Sequence, residues 1–315
     1  MKLRNILLLL SFYFAINLHS QPLTFTPQSS NTLFPLLGAS FTDSLTGWTA
    51  GSGSKILFTS NGGLNWIDRS LGTGLTLYSV FFSNSTTGWL AAFGDTNQAT
   101  YILKTTNAGA NWNVSSTSTG LYKSIYFINP NTGWVCGTAG KVTYTTNSGS
   151  SWSIQYVGQL YYLNKVFFID NNIGWVCGES GSIFGTTNSG MNWSLQNNSG
   201  GFISSMYFMN SSTGFACGFI DPGGPAFLLK TSNGGTNWQL TTFPTALYNA
   251  SIFFPTLNNG YVVGEYGLVL YTTDAGNTWN KQSTNQHYFF ESISFVTPNI
   301  GYIVGEFGKI YKITR

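Results

Sequence analysis

Seven times along the chain a short apolar run ends in a Phe, a polar stretch follows, and a Gly then introduces a second aromatic. The Phe/Gly pairs are Phe41/Gly47, Phe82/Gly88, Phe127/Gly133, Phe168/Gly174, Phe208/Gly214, Phe254/Gly260 and Phe295/Gly301. The aromatics after the glycines are Trp48, Trp89, Trp134, Trp175, Phe215, Tyr261 and Tyr302. The runs before each Phe, such as Val166-Phe167-Phe168-Ile169, are continuously apolar instead of alternating. That is the pattern of a strand buried on both faces. A repeat of roughly 40–45 residues with several short strands is the length of one four-stranded propeller blade. The third unit divides into strands at Ser124 to Ile128, Trp134 to Gly137 and Lys141 to Thr145, with a fourth beginning at Trp152. The predicted fold is all-β: a seven-bladed β-propeller of four-stranded antiparallel blades.

Six units add a turn, Thr-[Thr/Ser]-[Asn/Asp]-x-Gly-x-x-Trp, running from Thr59, Thr105, Thr145, Thr186, Thr231 and Thr272. Its Asn61, Asn107, Asn147, Asn188, Asn233 and Asp274 can bond the backbone amides that follow, as Asx turns do. The glycines of the repeat are expected in turn conformations closed to residues with a Cβ. The seventh unit reaches Arg315 after its third strand. Leu23 to Thr26 holds the register of an outer strand and is expected to close the ring against residues 309–313, removing an open edge.

The turn resembles the Asp-box of BNR repeats, found in sialidases, sortilin-type receptors and some secreted glycoside hydrolases. The longer pattern from Gly133 to Trp152 is similar to that of photosystem II assembly and stability factors of the Ycf48/HCF136 type. Gly133, Trp134, Gly137, Gly140, Val142, Thr145, Asn147, Gly149 and Trp152 carry the likeness. The resemblance implies a non-enzymatic propeller on the luminal or periplasmic side that binds newly made reaction-centre subunits through a basic patch. This chain departs from that pattern, because beyond the leader it has only Arg69 and Arg315 as arginines.

Lys2 and Arg4 precede an apolar run from Ile6 to Ile16, so residues 1–20 read as a signal peptide and residues 21–315 as one exported propeller domain, periplasmic or extracellular. The run is shorter than the about 20 residues of a membrane span. Charged residues form only 7% of the chain and the net charge is +3, which disfavours nucleic-acid binding. Cys136, Cys177 and Cys217 stand at matching repeat positions and read as small buried hydrophobes. No cofactor or metal is expected, and ring closure predicts a monomer.

If the inner strand of each blade runs downward, the Asp-box turns lie on the lower rim and read as structural staples. Two irregular hairpins, Phe93 to Ala99 and Phe219 to Pro225, fall on the upper face, where binding commonly evolves. The same face carries Glu179, Glu265 and Glu306 at matching hairpin positions, and Tyr78, Tyr122, Tyr162, Phe202, Tyr248 and Tyr288 just ahead of the inner strands. These residues are the candidate binding surface for a protein or peptide, with a glycan as the alternative ligand. Two other functions stay open: a purely structural envelope component, and a glycoside hydrolase. The hydrolase would need two acids about 5–9.5 Å apart from Asp68, Asp95, Glu179, Asp221, Glu265, Glu291 and Glu306. His287 reads as a surface residue.

Overall fold

The computed structural model describes residues 23–94, 96, 98–220, 224–241 and 247–315. The predicted leader, residues 1–20, lies outside them, as do Asp95 and Asp221. Among the described residues no helix is long and apolar enough to cross a membrane. Seven four-stranded antiparallel sheets form the ring. The inner strands are Leu36–Phe41, Leu75–Phe82, Tyr122–Phe127, Leu163–Phe168, Phe202–Phe208, Asn249–Phe253 and Phe290–Thr297, numbered here as blades 1 to 7. Blade 7 takes its outer strand from the other end of the chain. Thr24–Gln28 pairs antiparallel with Ile310–Thr314, with Phe25 opposite Ile313.

The Phe/Gly/aromatic motif has a packing cause. The aromatic that follows Gly in one blade stacks on the motif Phe of the next: Trp48 on Phe82 at 3.5 Å, Trp134 on Phe168 at 3.5 Å, and Tyr302 on Phe41 at 3.8 Å across the closure. The same Phe meets the Asp-box Trp of its own blade edge-on, as Phe168 meets Trp193 at 6.1 Å and 82°. Offset-stacked and edge-to-face pairs of this kind add about 0.5–1.5 kcal/mol beyond area burial. Two classes of glycine emerge, against the single expectation above. The Asp-box glycines Gly63, Gly109, Gly149, Gly190, Gly235 and Gly276 do have positive φ. The motif glycines do not. A Cβ on Gly47, Gly133 or Gly174 would instead fall inside the ring of Phe41, Phe127 or Phe168, so close approach sets the residue there.

The blades are also bolted together at the lower rim. The indole of Trp48 donates to Ala108 O at 2.8 Å, Trp134 to Ser189 O at 3.1 Å and Trp175 to Gly234 O at 3.1 Å, each reaching the Asp-box turn of the following blade. Tyr302 Oη makes the equivalent bond to Gly62 O at 3.0 Å across the closure, while among the described residues the Trp89 indole N–H has no such partner and Phe215 has no donor to offer. The three cysteines are free and buried in second strands.

Candidate functional site

The Thr and Asn or Asp side chains of the lower-rim turns are engaged within their own turns. Thr145 Oγ1 donates to Asn147 Oδ1 at 2.9 Å and accepts the Gly149 amide at 3.0 Å, while Asn147 Oδ1 accepts the Ser151 amide at 2.9 Å. The same bonds recur around Asn61, Asn107, Asn188 and Asn233. Asp274 adds a bond from Thr278 Oγ1 at 2.6 Å, and these donors hold its carboxyl down at about 2. Their lone pairs are spent on the turn itself.

On the upper face the three hairpin glutamates act alike. Glu179 Oε2 accepts the Tyr162 amide at 3.3 Å, Glu265 the Tyr248 amide at 3.3 Å, and Glu306 the Phe289 amide at 2.9 Å. The glutamate amides donate back to the carbonyls of the same three residues. Each glutamate therefore clamps its hairpin to the crossing that feeds its own inner strand.

The six aromatics ahead of the inner strands do not converge. Counted back from the motif Phe, Tyr78 stands four residues away, Tyr122 five, Tyr162, Phe202 and Tyr248 six, and Tyr288 seven. Side chains alternate along a strand, so these offsets send the rings in different directions. Tyr122 is buried in the core, its hydroxyl 2.6 Å from Thr143 Oγ1. Tyr162 is half exposed to solvent. Phe202 and Tyr248 both pack on Phe219, at 5.7 and 4.5 Å. Tyr288 meets Phe307 at 5.8 Å, with Lys309 Nζ 4.6 Å from its ring. Of the six, Tyr78 lines the axial mouth.

That mouth is built by the position four before each motif Phe: Leu37, Tyr78, Lys123, Asn164, Ser204, Ala250 and Glu291. Lys123 Nζ lies 4.0 Å from the Tyr78 ring. Burial and the nearby Glu306 push the Glu291 carboxyl up to about 7, against the pull of Lys123. The mouth leads into a cavity of about 480 Å³. Its lower end is ringed by aromatics one residue before the motif Phe: Phe81–Tyr126 at 5.6 Å, Tyr126–Phe167 at 5.2 Å, Phe167–Tyr207 at 5.2 Å and Tyr207–Phe253 at 4.9 Å. Lys123 and Lys165 escaped the sequence reading, and Glu291 entered it only as one acid among several. Aligning the inner strands on their Phe exposes them, because a charge at these positions breaks an otherwise uncharged column.

Of the candidate acids, Asp68 is paired with Lys55 at 2.8 Å and the three hairpin glutamates are clamped. Among the described residues Glu291 is the candidate acid with no hydrogen-bond donor. Arg69 lies over the Phe58 ring and donates to Ala108 O, below the mouth. His287 is exposed.

Seven closed blades, Asp-box turns below and a narrow axial cavity above define a BNR-type propeller. The chain belongs to the photosynthesis system II assembly factor YCF48 family, whose sequence profile matches residues 28–156, 114–200 and 236–312. It is similar in fold to a YCF48 solved bound to a D1 peptide, at 20% identity and TM-score 0.75, covering 93% of this chain and 97% of that one. YCF48 from Cyanidioschyzon merolae matches at 16% identity and TM-score 0.74, over 92% of this chain and 98% of the other. The GH74 xyloglucanase from Xanthomonas campestris shares the fold at 10% identity and TM-score 0.73, over 92% of this chain and 53% of the enzyme. No curated protein matches by sequence.

Proposed function

We propose that the chain is an exported, non-enzymatic propeller that holds an extended segment of a partner protein on its upper face. The observation that carries this reading is the placement of exposed aromatics. Phe34, Tyr156, Tyr162, Tyr266 and Phe307 are each about half exposed, and all lie at upper strand ends, crossings or hairpins. Among the described residues the large apolar side chains exposed on the lower turns are non-aromatic: Leu45, Leu64, Met191 and Leu257. Aromatics are enriched where proteins bind one another. Tyr266 and Phe307 occupy left-handed hairpin tips, with φ of 52° each, where blades 1, 3 and 4 place Gly53, Ala139 and Ser180. A bulky residue in that region costs about 1–2 kcal/mol, a strain typical of functional positions. The family likeness and the peptide held by a YCF48 of the same fold agree with a peptide-like partner. The mouth of this chain presents Lys123.

The test is capture of partners from the native envelope and medium by wild-type protein and by a Tyr266→Gly/Phe307→Gly variant. Glycine relieves the left-handed strain, so this variant folds. Loss of the captured partner supports the reading. An unchanged set of partners moves the binding face elsewhere. Recovery of the protein only from the cytoplasm contradicts export.

A further inference from the structure

Three residues before the motif Phe, the inner strands carry Gly38, Ser79, Ser124, Lys165, Ser205, Ser251 and Ser292, and all of them line the axial cavity. Four of these serines are already used as acceptors. Ser79 Oγ receives the Ile125 amide at 3.2 Å, and Ser124, Ser205 and Ser251 receive the amides of Val166, Ile252 and Ile293 at 3.4 Å. Each acceptor is bound by the next blade, so the ring geometry fixes the oxygen. The hydroxyl proton is what remains. Among the described residues none of these four hydroxyls donates to a protein acceptor. Blade 4 replaces the serine by Lys165, whose ammonium has no hydrogen-bond or ion-pair partner among the described residues. Burial in the ring lowers its pKa, against a smaller opposing pull from the Cys177, Cys136 and Cys217 thiols, and an anion bound beside it would favour the charged form. The level is thus lined by hydroxyl donors and one lysine amine that an anion can hold in its charged form. The aromatic ring below narrows it, and the mouth above opens it to the upper face.

We propose that the axial cavity is a carboxylate-binding site, in which Lys165 and the hydroxyl protons of Ser79, Ser124, Ser205 and Ser251 hold the monoanionic end of a small acid or of a peptide chain. One ammonium and neutral donors match a single negative charge through charge-assisted hydrogen bonds. Glu291 at the rim, when ionised, repels a dianion such as phosphate about twice as strongly as a monoanion. The site is independent of the aromatic upper rim, because none of its donors contributes to that rim.

The experiment is calorimetric titration of the protein lacking its first 20 residues, which keeps every described strand. The probes are acetate, acetyl-glycylglycine and acetyl-glycylglycine amide, each against wild type and Lys165→Ser. The substitution installs the residue that the repeat itself uses at this level, so the ring stays closed; an unchanged melting temperature verifies this. Acid binding that weakens at least about 10-fold with the amide and at least about 10-fold with Lys165→Ser supports the site. Equal affinity for acetate and the dipeptide acid assigns it to small free acids; tighter dipeptide binding assigns it to a chain end. If acid and amide bind alike, if Lys165→Ser binds as wild type does, or if no acid binds, the proposal is overturned. None of these outcomes bears on the Tyr266/Phe307 variant, so the two readings stand or fall separately.

Discussion

The lower rim and the upper mouth are made from the same repeat, yet one is nearly identical from blade to blade and the other differs in every blade. Below, each Thr and Asn is spent on amides of its own turn, and the second-strand aromatic reaches across to the next turn. A change there breaks bonds inside a blade and between blades. Above, the column four residues before the motif Phe runs through Leu, Tyr, Lys, Asn, Ser, Ala and Glu around the mouth, and what joins it to a neighbouring blade differs from place to place: Asn164 donates to Ile203 O at 2.9 Å and Lys123 lies over the Tyr78 ring. Variation there costs the ring little, which leaves that end available for chemistry.

The sharpest way to break this contrast is Trp134→Ala. It removes the stack on Phe168 and the bond to Ser189 O, and should destabilise the protein by about 3–5 kcal/mol in urea denaturation. A loss below about 1 kcal/mol would show that the blades do not depend on this bolt. Thr145→Val is next. It keeps the shape but leaves the Asn147 and Gly149 amides without their acceptor, for an expected loss of about 1–3 kcal/mol.

At the mouth, Glu291→Gln should act in the opposite sense, and only at higher pH. Burial pushes the folded carboxyl up to about 7, whereas in the unfolded chain it has the ordinary glutamate value of 4.5. Between those values the folded state holds the extra proton, so native stability falls as pH rises and stays low above 7. The variant should therefore be more stable than wild type at pH 8, by about 1–2 kcal/mol after allowing for water in the cavity, and equal to it below pH 4.5. Melting curves across that range would refute the assignment if the difference were flat. Smallest of all, Phe307→Gly gives up the Tyr288 contact but relieves the left-handed backbone, and its stability should stay within about 1 kcal/mol of wild type. A larger drop would mean that Phe307 belongs to the scaffold.

The sequence alone determined the number of blades, the strand boundaries of the third blade to within a residue or two, the lower staples and the closing strand. Those features repeat, and repetition exposes any residue that packing or a turn demands seven times over. Where Phe127 must cover Gly133 and Trp134 must stack on Phe168, no other residue types serve, so the pattern survives in plain view. Only the tertiary structure decided the mouth. Tyr122 and Tyr78 look equivalent along the chain, but one residue of register turns the first into the core and the second toward the axis. Lys123, Lys165 and Glu291 come from blades 3, 4 and 7, and they share a cavity because the ring closes, a proximity that sequence spacing does not encode.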